Sequence, residues 1–394
     1  MLALTSKTLF TPAEHIRDPL LLVDGGKVVE LSSRVSRETP KNCRLLDFGD
    51  AVLSPGLLDI HNHGGAGHDV MEASAEALPA IERLLAQHGV TSYVPTTVTA
   101  PIDVTLAALE RLAKHIEVAE ENPGAGGPRA QPRGIHIEGP FLSHRRRGVH
   151  PQENLLKPTL QTFERFWQAA HGHIKMMTIA PELDGAAEVS AEASARGVCV
   201  SLGHSDADLG QARAAVAAGA RHATHTFNAM RPLSHRDPGI LAEVLTNSQL
   251  TADVIADGFH VDPAVVKLFL DAKGPERAVL ITDATPGTGM PPGRYRMGAF
   301  EFEVCDGKCL ANGVLAGSLL TLDQAVRNAI TYAGWSLQQA LRAATLNPAQ
   351  ILNLADTGSL KPGARADLLV LSSSGEVRQT VIAGRVSEAA NTSS

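Results

Sequence analysis

Short apolar runs alternate with longer stretches of helical periodicity through the middle of the chain. Runs rich in Val, Ile and Leu, four to eight residues long, are typical of buried strands. The runs that predict strands are 57–61, 91–95, 133–138, 174–180, 197–204, 220–225, 250–256 and 277–283. The stretches that predict helices are 75–88, 103–119, 159–170, 185–195 and 207–218. This alternation favours a parallel sheet, and eight strands favour an α/β fold of the (β/α)8 TIM-barrel type.

Both ends of the chain have a different pattern, with short strands and turns. Asp24-Gly25-Gly26-Lys27 separates two apolar runs and predicts a hairpin. Residues 367–371 and 379–386 have the same strand character, and neither end is long enough to bury a core alone. We therefore predict a small β-sandwich domain from residues 1–55 and 356–394, with the barrel domain at 56–355.

Three further local patterns give specific expectations. Residues 294–310 predict an additional β segment after the eighth strand, with a turn at 306–308. Ser205 or Asp206 is the candidate cap of the helix predicted at 207–218. The tail 387–394 is small and polar, which predicts disorder.

Composition limits the class of protein without changing this picture. Aromatic residues make up 4% of the chain, so the core must consist of aliphatic side chains. The net charge of -7 gives no support for nucleic-acid binding. The four cysteines show no disulfide or paired-ligand pattern, and no apolar run approaches the ~20 residues of a membrane helix. We expect a soluble cytoplasmic protein with reduced thiols and no membrane partner.

Residues that bind metals or transfer protons follow several of the predicted strands. These residues are His61, His63, Glu138, His204, His225, His260 and Asp283. A (β/α)8 barrel builds its active site from the carboxyl ends of its strands. The sequence therefore predicts a metal-dependent hydrolase.

Glu138, His204 and His225 have the composition of a catalytic zinc site. Two imidazoles and one carboxylate can hold a metal and leave one position open. His61 and His63 are two residues apart on one strand, so they point to the same face. Asp283 can take a proton from a water molecule whose pKa a metal has lowered, and hand it to a leaving amine. His136 lies one layer deeper, where a supporting role is expected.

Each of these assignments has a simpler alternative. The two histidines of the first strand could be hydrogen-bonded residues of a barrel interior, and Asp283 could cap a turn. Arg145, Arg146 and Arg147 could form a solvated loop. Three ligand-type residues ending strands three, five and six are harder to explain structurally, so metal binding is favoured.

Five motifs together resemble the N-acetylglucosamine-6-phosphate deacetylase family of the amidohydrolase superfamily. They are Ile135-His136-Ile137-Glu138-Gly139-Pro140-Phe141, Gly203-His204-Ser205, Thr224-His225-Thr226-Phe227-Asn228-Ala229-Met230, Asp257-Gly258-Phe259-His260 and Thr282-Asp283-Ala284. The resemblance covers nearly the whole chain. It implies that Glu138, His204 and His225 are the primary metal ligands and that Asp283 is the catalytic acid and base.

The resemblance leaves the number of metal ions open. His61 and His63 match a pair found in members that bind a second metal, and other members lack these histidines. One or two divalent ions per subunit are therefore expected. Zinc is the preferred ion, with iron, cobalt and manganese as alternatives.

The resemblance also implies a set of substrate-binding residues. They are Val149, His150, Asn228, Ala229, Arg236, Asp257, Gly258, Phe259, His260, Leu315, Ala316 and Gly317. His150 would polarise the reacting carbonyl oxygen, and Arg236 and His260 are the better phosphate candidates. Arg236 would reach the neighbouring subunit's site, which implies a homodimer. The third arginine before Gly148 departs slightly from the family's basic pair.

The implied reaction removes acetate from N-acetylglucosamine 6-phosphate, in amino-sugar catabolism and cell-wall sugar recycling. A cyclic-amide hydrolase is disfavoured, because such enzymes carry a carboxylated lysine at the end of strand four and Lys175 lies at its beginning. Two alternatives stay open at this point. One is the same reaction on N-acetylgalactosamine 6-phosphate, and the other is a non-catalytic scaffold that kept the barrel.

Overall fold

The first seven strands belong to two sheets that also contain the last three strands. The computed structural model describes residues 1–122 and 126–386. The seven strands are β1 (Leu2–Thr5), β2 (Thr8–Phe10), β3 (His15–Arg17), β4 (Pro19–Asp24), β5 (Lys27–Ser33), β6 (Arg44–Asp47) and β7 (Val52–Pro55). The predicted hairpin is confirmed, since Asp24 of β4 pairs with Lys27 of β5.

The central part of the chain alternates strands with helices, as predicted. Its first elements are β8 (Leu57–Asn62), β9 (Gly64–Gly65), β10 (His68–Asp69), α1 (Ala77–Gln87), β11 (Val90–Thr97), α2 (Ile102–Glu121), β12 (Gln131–Pro132) and β13 (Ile135–Glu138). After a 3-10 turn at Gln152–Asn154 come α3 (Leu160–Ala169), β14 (Ile174–Ile179), α4 (Ala186–Ala195), β15 (Cys199–Leu202), α5 (Leu209–Ala217), β16 (His222–Ala223), α6 (Gly239–Thr246), β17 (Ala252–Ile255), α7 (Pro263–Lys273) and β18 (Ala278–Ile281).

The remaining elements add a small antiparallel sheet, three helices and the last strands. They are β19 (Gly293–Met297), β20 (Phe300–Cys305), β21 (Lys308–Ala311), β22 (Val314–Leu315), α8 (Leu322–Ala333), α9 (Leu337–Ala343), α10 (Leu346–Ile351), β23 (Leu368–Leu371), β24 (Val377–Ile382) and β25 (Arg385–Val386). The additional β segment is confirmed, with Cys305 and Lys308 paired on either side of its turn. The tail 387–394 lies outside the described residues.

The central strands form a curled parallel sheet, and the chain has an α/β fold. One sheet has the order β12-β11-β13-β14-β15-β16, with β8 paired to β11, and β17 and β18 form a separate parallel pair. Hydrogen bonds continue beyond the paired strands on both sides. The Thr226 N–H donates to the Asp253 carbonyl at 3.0 Å, and the Asp283 N–H donates to the His61 carbonyl at 3.0 Å.

Aliphatic side chains fill the space between the central strands and the helices, as the low aromatic content predicts. The four residues of β18 are fully buried, and so are the aliphatic residues Leu58 and Ile60 of β8. Runs of this kind are typical of strands covered on both faces. Polar side chains lie at the strand ends, where hydrogen bonding between the strand backbones stops.

Two sheets made from both ends of the chain share a second apolar cluster. Their strand orders are β5-β4-β1-β6 and β25-β24-β23-β7-β2-β3. Leu4, Leu21, Leu53, Leu368 and Val381 are fully buried between them. The two chain ends therefore bury one core jointly.

The predicted cap of α5 was wrong. The N-cap is Asp208, whose side chain accepts the Gln211 N–H at 2.8 Å, and the Gln211 side chain accepts the Asp208 N–H in return. This reciprocal pair is a capping box. Ser205 and Asp206 instead interact with Glu182, because the chain is still leaving β15 at that point.

Among the described residues, no helix is long and apolar enough to cross a membrane.

Candidate active site and metal centre

The predicted metal ligands and the predicted acid/base meet at one edge of the curled sheet. His61 lies in β8 and His63 directly follows it, and Glu138 is the last residue of β13. His204, His225 and Asp283 each follow a strand by two residues. All six side chains are buried. The carboxyl ends of parallel strands meet at one edge, so residues far apart in sequence converge there.

Glu138, His204 and His225 form a compact group of ligand atoms. The His225 Nε2 atom lies 3.0 Å from Glu138 Oε1 and 3.0 Å from His204 Nε2. The His204 Nε2 atom lies 3.3 Å from the same carboxylate oxygen. These atoms all lie within 4.8 Å of one another, which is close enough for one metal ion.

A second group shares Glu138 and comes from the first central strand. The Nε2 atoms of His61 and His63 are 3.0 Å apart, and they lie 3.4 and 3.2 Å from the Glu138 oxygens. Asp283 Oδ1 lies 3.1 Å from His63 Nε2 and 3.6 Å from His61 Nε2. Asp283 therefore faces the shared centre, where an acid/base residue is needed.

The donor set fits a divalent cation. Two pairs of imidazole nitrogens face each other at 3.0 Å, so a proton or a metal ion must lie between or beside them. Burial alone would lower the pKa of His63, but its hydrogen bonds to Asp283 and Glu138 raise the pKa to about 10. Two buried carboxylates thus require positive charge, which protons supply when a metal does not.

The two carboxylates keep their ionised forms despite burial. Burial alone would raise the pKa of Asp283. The charge on His61 and the hydrogen bond from His63 outweigh this effect and lower the pKa to about 2. Burial likewise opposes ionisation of Glu138, and the charge on His61 with hydrogen bonds from other histidines holds its pKa well below the usual range. Both groups are available as anionic oxygen ligands or as proton acceptors.

Two of the four histidine rings are oriented by main-chain carbonyl groups. The Nδ1 atom of His63 lies 2.9 Å from the Thr96 carbonyl, and that of His204 lies 2.9 Å from the Arg146 carbonyl. A carbonyl can only accept, so Nδ1 carries the proton and Nε2 presents its lone pair to the centre. The Nδ1 atoms of His61 and His225 are buried without a hydrogen-bond partner in the described part of the chain.

The backbone at the strand ends adopts conformations that L-amino acids rarely use. Positive φ angles occur at His204 (47°), His225 (31°), Phe227 (80°), Ala229 (50°) and Asp283 (50°). Such conformations cost of order 1–3 kcal/mol each and cluster at functional sites. Here they turn the chain sharply after each strand, which aims the side chains into the centre.

A cleft of ≈ 330 Å³ opens above this centre. Seven predicted substrate-binding residues line it, namely Val149, His150, Asn228, Ala229, His260, Leu315 and Gly317. The lining also includes Val98, Arg145, Arg146, Gly148, Met297 and Val314, which sequence reasoning did not assign to substrate. Met297 and Val314 belong to the small antiparallel sheet, whose position over the cleft has no signal in the sequence.

Four predicted substrate residues lie beside the wall of the cleft, among the described residues. Asp257 lies behind His260, with its Oδ2 atom 2.7 Å from His260 Nδ1. Gly258 follows it, and Phe259 is 49% exposed with the Lys308 ammonium 5.0 Å from its ring centre. Ala316 is buried next to the wall. Asp257 therefore orients the ring of His260, which lines the cleft.

Gly317 allows two segments to come close behind Asp283. Its φ angle is 62°, and a Cβ atom there would lie 2.8 Å from the Asp283 carbonyl oxygen. The Ser318 N–H donates to that same oxygen at 2.7 Å. A side chain at position 317 would therefore displace Asp283, the predicted acid/base residue.

Arg236 lies on an exposed loop before α6 and is not among the residues that line the cleft. Arg145 and Arg146 do reach the wall, and both pair with Asp206, at 3.3 and 2.8 Å. These two arginines therefore connect the wall of the cleft to Asp206, two residues before the N-cap of α5.

The comparisons with known proteins agree with this geometry. Residues 52–387 match the amidohydrolase family model. The N-acetylglucosamine-6-phosphate deacetylase of Bos taurus is 38% identical, covering 96% of this chain and 94% of the relative. The N-acetylgalactosamine-6-phosphate deacetylase of Escherichia coli O157:H7 is 36% identical, covering 97% of this chain and 98% of the relative.

A solved structure is similar over nearly the same length. It is a mutant N-acetyl-D-glucosamine-6-phosphate deacetylase from Mycobacterium smegmatis in complex with N-acetyl-D-glucosamine-6-phosphate. It superposes with a TM-score of 0.90 at 35% identity, covering 98% of each chain. The predicted resemblance is confirmed, and this chain belongs to the amidohydrolase family and, within it, to the N-acetylglucosamine-6-phosphate deacetylases.

Proposed function

We propose that this chain is a cytoplasmic hydrolase that cleaves the amide bond of N-acetyl-D-glucosamine 6-phosphate. The products are acetate and D-glucosamine 6-phosphate, which fits amino-sugar catabolism and cell-wall sugar recycling. The observation that carries the proposal is the meeting of Glu138, four histidines and Asp283 at the floor of the cleft. The family match supports the same reaction class.

Asp283 is the acid and base of the proposed reaction. A water molecule attacks the acetamide carbonyl, and Asp283 takes the proton that this water releases. As the C–N bond breaks, Asp283 returns the proton to the nitrogen, which leaves as a neutral amine. A divalent cation at this site supplies Lewis-acid polarisation and lowers the pKa of water.

His150 is placed to stabilise the oxyanion of the tetrahedral intermediate. Its Nδ1 atom lies 2.8 Å from the Thr99 hydroxyl and accepts the Thr99 N–H at 3.3 Å; a nitrogen that accepts has no proton of its own, so in the neutral ring the proton lies on Nε2. Nε2 lies on the side of Glu138, at 3.6 Å from Oε2, and His150 lines the cleft. Its N–H is therefore available to a carbonyl oxygen above the metal ligands.

Replacing His150 with Ala is expected to lower kcat by about 10²–10³-fold, as for the loss of one oxyanion donor. KM should change much less, because the donor acts mainly on charge that develops during the reaction. Steady-state acetate release measures both constants. A rise in KM with kcat unchanged would instead assign His150 to binding of the substrate in its ground state.

Glu138, His204 and His225 are proposed as the primary metal ligands, and His61 and His63 as ligands of a second ion. The two groups share Glu138, so one or two ions can be held. Zinc suits a site of imidazoles and one carboxylate, with iron, cobalt and manganese as alternatives. Metal analysis of the purified protein by mass spectrometry identifies the ion and its stoichiometry.

The substrate is tested by measuring acetate release from two 6-phosphorylated sugars. N-acetylglucosamine 6-phosphate and N-acetylgalactosamine 6-phosphate differ in the configuration of one hydroxyl group. The second sugar is a specific alternative because one relative with that activity is 36% identical. The proposal requires the higher kcat/KM on the glucosamine compound. Absence of acetate release from both sugars, with metal bound, would favour a non-catalytic scaffold.

Arg236 is proposed to bind the substrate phosphate from the neighbouring subunit of a homodimer. Its exposed position outside its own cleft supports this, because a charged loop residue can serve a second chain. Arg236→Ala should raise KM for the phosphorylated sugar, since a hydrogen bond between charged groups contributes about 1.5–3 kcal/mol. Activity on the unphosphorylated sugar should hardly change.

The subunit arrangement is tested by mixing two variants that are each impaired on the phosphorylated sugar. Arg236→Ala chains combined with Asp283→Asn chains should regain activity, because one site of each hybrid dimer has both intact residues. Exposed Arg17, far from the cleft in β3, gives a matched control in Arg17→Ala. Equal losses on both sugars would indicate a folding defect. No regain despite subunit exchange would place Arg236 in its own subunit's site.

The complete architecture is part of the proposal. We infer that the eight central strands close into a (β/α)8 barrel over residues 56–355. Hydrogen bonds from Thr226 to Asp253 and from Asp283 to His61 support closure at both seams. Residues 1–55 and 356–394 are proposed as one β-sandwich domain. The apolar cluster shared by the two terminal sheets supports that division, and the last eight residues lie outside the described ones.

A further inference from the structure

Asp253 lies directly behind His225 and holds the segment that carries it. This residue of β17 is fully buried. Its Oδ1 atom accepts the His225 N–H, and its carbonyl accepts the Thr226 N–H at 3.0 Å. One residue thus binds two successive amides at the point where the chain leaves β16. The proposed reaction assigns Asp253 no role.

The second carboxylate oxygen of Asp253 is held by His222. The Thr251 hydroxyl lies 2.7 Å from His222 Nδ1 and 3.0 Å from the Arg221 carbonyl oxygen. The other ring nitrogen of His222 lies 2.9 Å from Asp253 Oδ2, and because a carboxylate only accepts, this nitrogen carries a proton and donates it to Asp253. His222 is fully buried, like Asp253. Both oxygens of the carboxylate are therefore fixed by protein groups.

His225 depends on such support more than the ligands His63 and His204 do. Those two rings are oriented through Nδ1 by main-chain carbonyl groups. The Nδ1 atom of His225 has no hydrogen-bond partner in the described part of the chain, and the residue has a φ angle of 31°. Apart from the contacts of Nε2 at the centre, its ring is therefore directed through its backbone, which Asp253 holds in this unusual conformation.

We propose that Asp253, held by His222, is a positioning residue for the metal site and fixes His225 in its ligating orientation. This inference rests on the proposed function, because it requires His225 to be a metal ligand. Loss of groups that support a ligand from behind typically costs 10–100-fold in metal affinity. Asp253 does not touch the substrate, so its effect should be confined to metal binding.

Two substitutions of Asp253 separate positioning from simple burial of a charge. In Asp253→Asn the amide oxygen can accept the His225 N–H, and the amide NH2 can donate to the Nε2 atom of a neutral His222. In Asp253→Ala both bonds are lost. We expect zinc-loaded full-length Asp253→Ala to release Zn²⁺ to excess chelator about 10–100-fold faster than the parent protein. Asp253→Asn should release it at close to the parent rate.

A kinetic measurement gives a second readout. The Zn²⁺ concentration for half-maximal activity should rise in Asp253→Ala, while KM for the sugar at saturating Zn²⁺ should stay unchanged. His222→Ala leaves Oδ2 without its partner and should accelerate Zn²⁺ release less than Asp253→Ala does. Because His222 acts through Asp253, the double variant should be no faster than Asp253→Ala. If Asp253→Ala does not fold, release from His222→Ala at the parent rate contradicts the inference.

Glu82→Ala is the matched control. Glu82 is a buried carboxylate of α1, away from the cleft, that accepts the Tyr93 hydroxyl at 3.2 Å and faces His115 Nε2 at 2.6 Å. Its loss should lower thermal stability without changing Zn²⁺ release. Parent protein that holds none of Zn²⁺, iron, cobalt and manganese would overturn the proposed metal function. Tight Zn²⁺ in the parent with equal release from Asp253→Ala, or equally fast release from Asp253→Asn and Asp253→Ala, would overturn the role of Asp253 alone.

Discussion

Asp283→Asn is expected to lower kcat by about 10²–10⁴-fold, the range typical of losing a general acid and base. The amide keeps the shape of the carboxylate but cannot accept the proton of the attacking water. The change should leave the bound metal in place, because Glu138 and the four histidines are untouched. Substrate should still bind, since Asp283 occupies one point of a cleft with many other lining residues. Acetate release, metal content and equilibrium binding of the sugar phosphate measure the three quantities.

A buried aspartate outside the cleft provides the comparison for this variant. Asp323 lies in the first turn of α8, where it faces His88 at 3.2 Å and accepts from Arg327 at 2.9 Å. Asp323→Asn should reduce stability and leave kcat nearly unchanged. Near-normal kcat in Asp283→Asn would refute its assignment as acid and base. Loss of metal in that variant would make Asp283 a ligand first.

The strand ends of the site could be predicted because the sequence encodes them locally. Glu138 is the last residue of its strand, and His204 and His225 each follow a strand by two residues. A parallel sheet brings the ends of its strands to one edge, so the spacing of residues within each run sufficed. The expected α/β fold is confirmed, because strands and helices alternate along the chain as their local patterns predicted.

The groups that support the site could not be found in this way. Thr99, which sets the proton position on His150, is 51 residues from it in the chain. Asp253 is 28 residues from His225, and nothing in its local pattern distinguishes it from another buried strand residue. Asp59 binds the Thr282 hydroxyl at 2.6 Å across 223 residues. Such pairs depend on which strands become neighbours.

The cap of α5 shows how a local signal can be misassigned. Ser205, Asp206 and Asp208 all have side chains that cap helices well. The competing contacts decided the outcome, since Asp206 pairs with Arg146 at 2.8 Å and leaves Asp208 to begin the helix. The same arginine presents its carbonyl to His204. A residue interpreted as part of a solvated loop thus orients the ring of a proposed metal ligand.

His204→Ala and His225→Ala are each expected to abolish turnover and to remove the tightly held metal. Each change takes one of three ligands that lie within 4.8 Å of one another, and two remaining protein ligands do not hold a divalent ion tightly. The loss of activity should exceed that of Asp283→Asn, because a site without metal can neither activate nor orient the attacking water. Metal content by mass spectrometry and acetate release test both parts.

Replacing His61 and His63 together is the informative partner experiment, because these histidines share Glu138 with the primary group. At most the second ion should be lost, and activity should persist if the first ion suffices. His115→Ala, on the outer helix α2 beside Glu82, controls for the removal of a histidine. Full activity with unchanged metal in His204→Ala or His225→Ala would end the metal assignment. Loss of all metal on replacing His61 and His63 would make this pair the primary ligands. Glu138, His204 and His225 would then be secondary ligands of the ion.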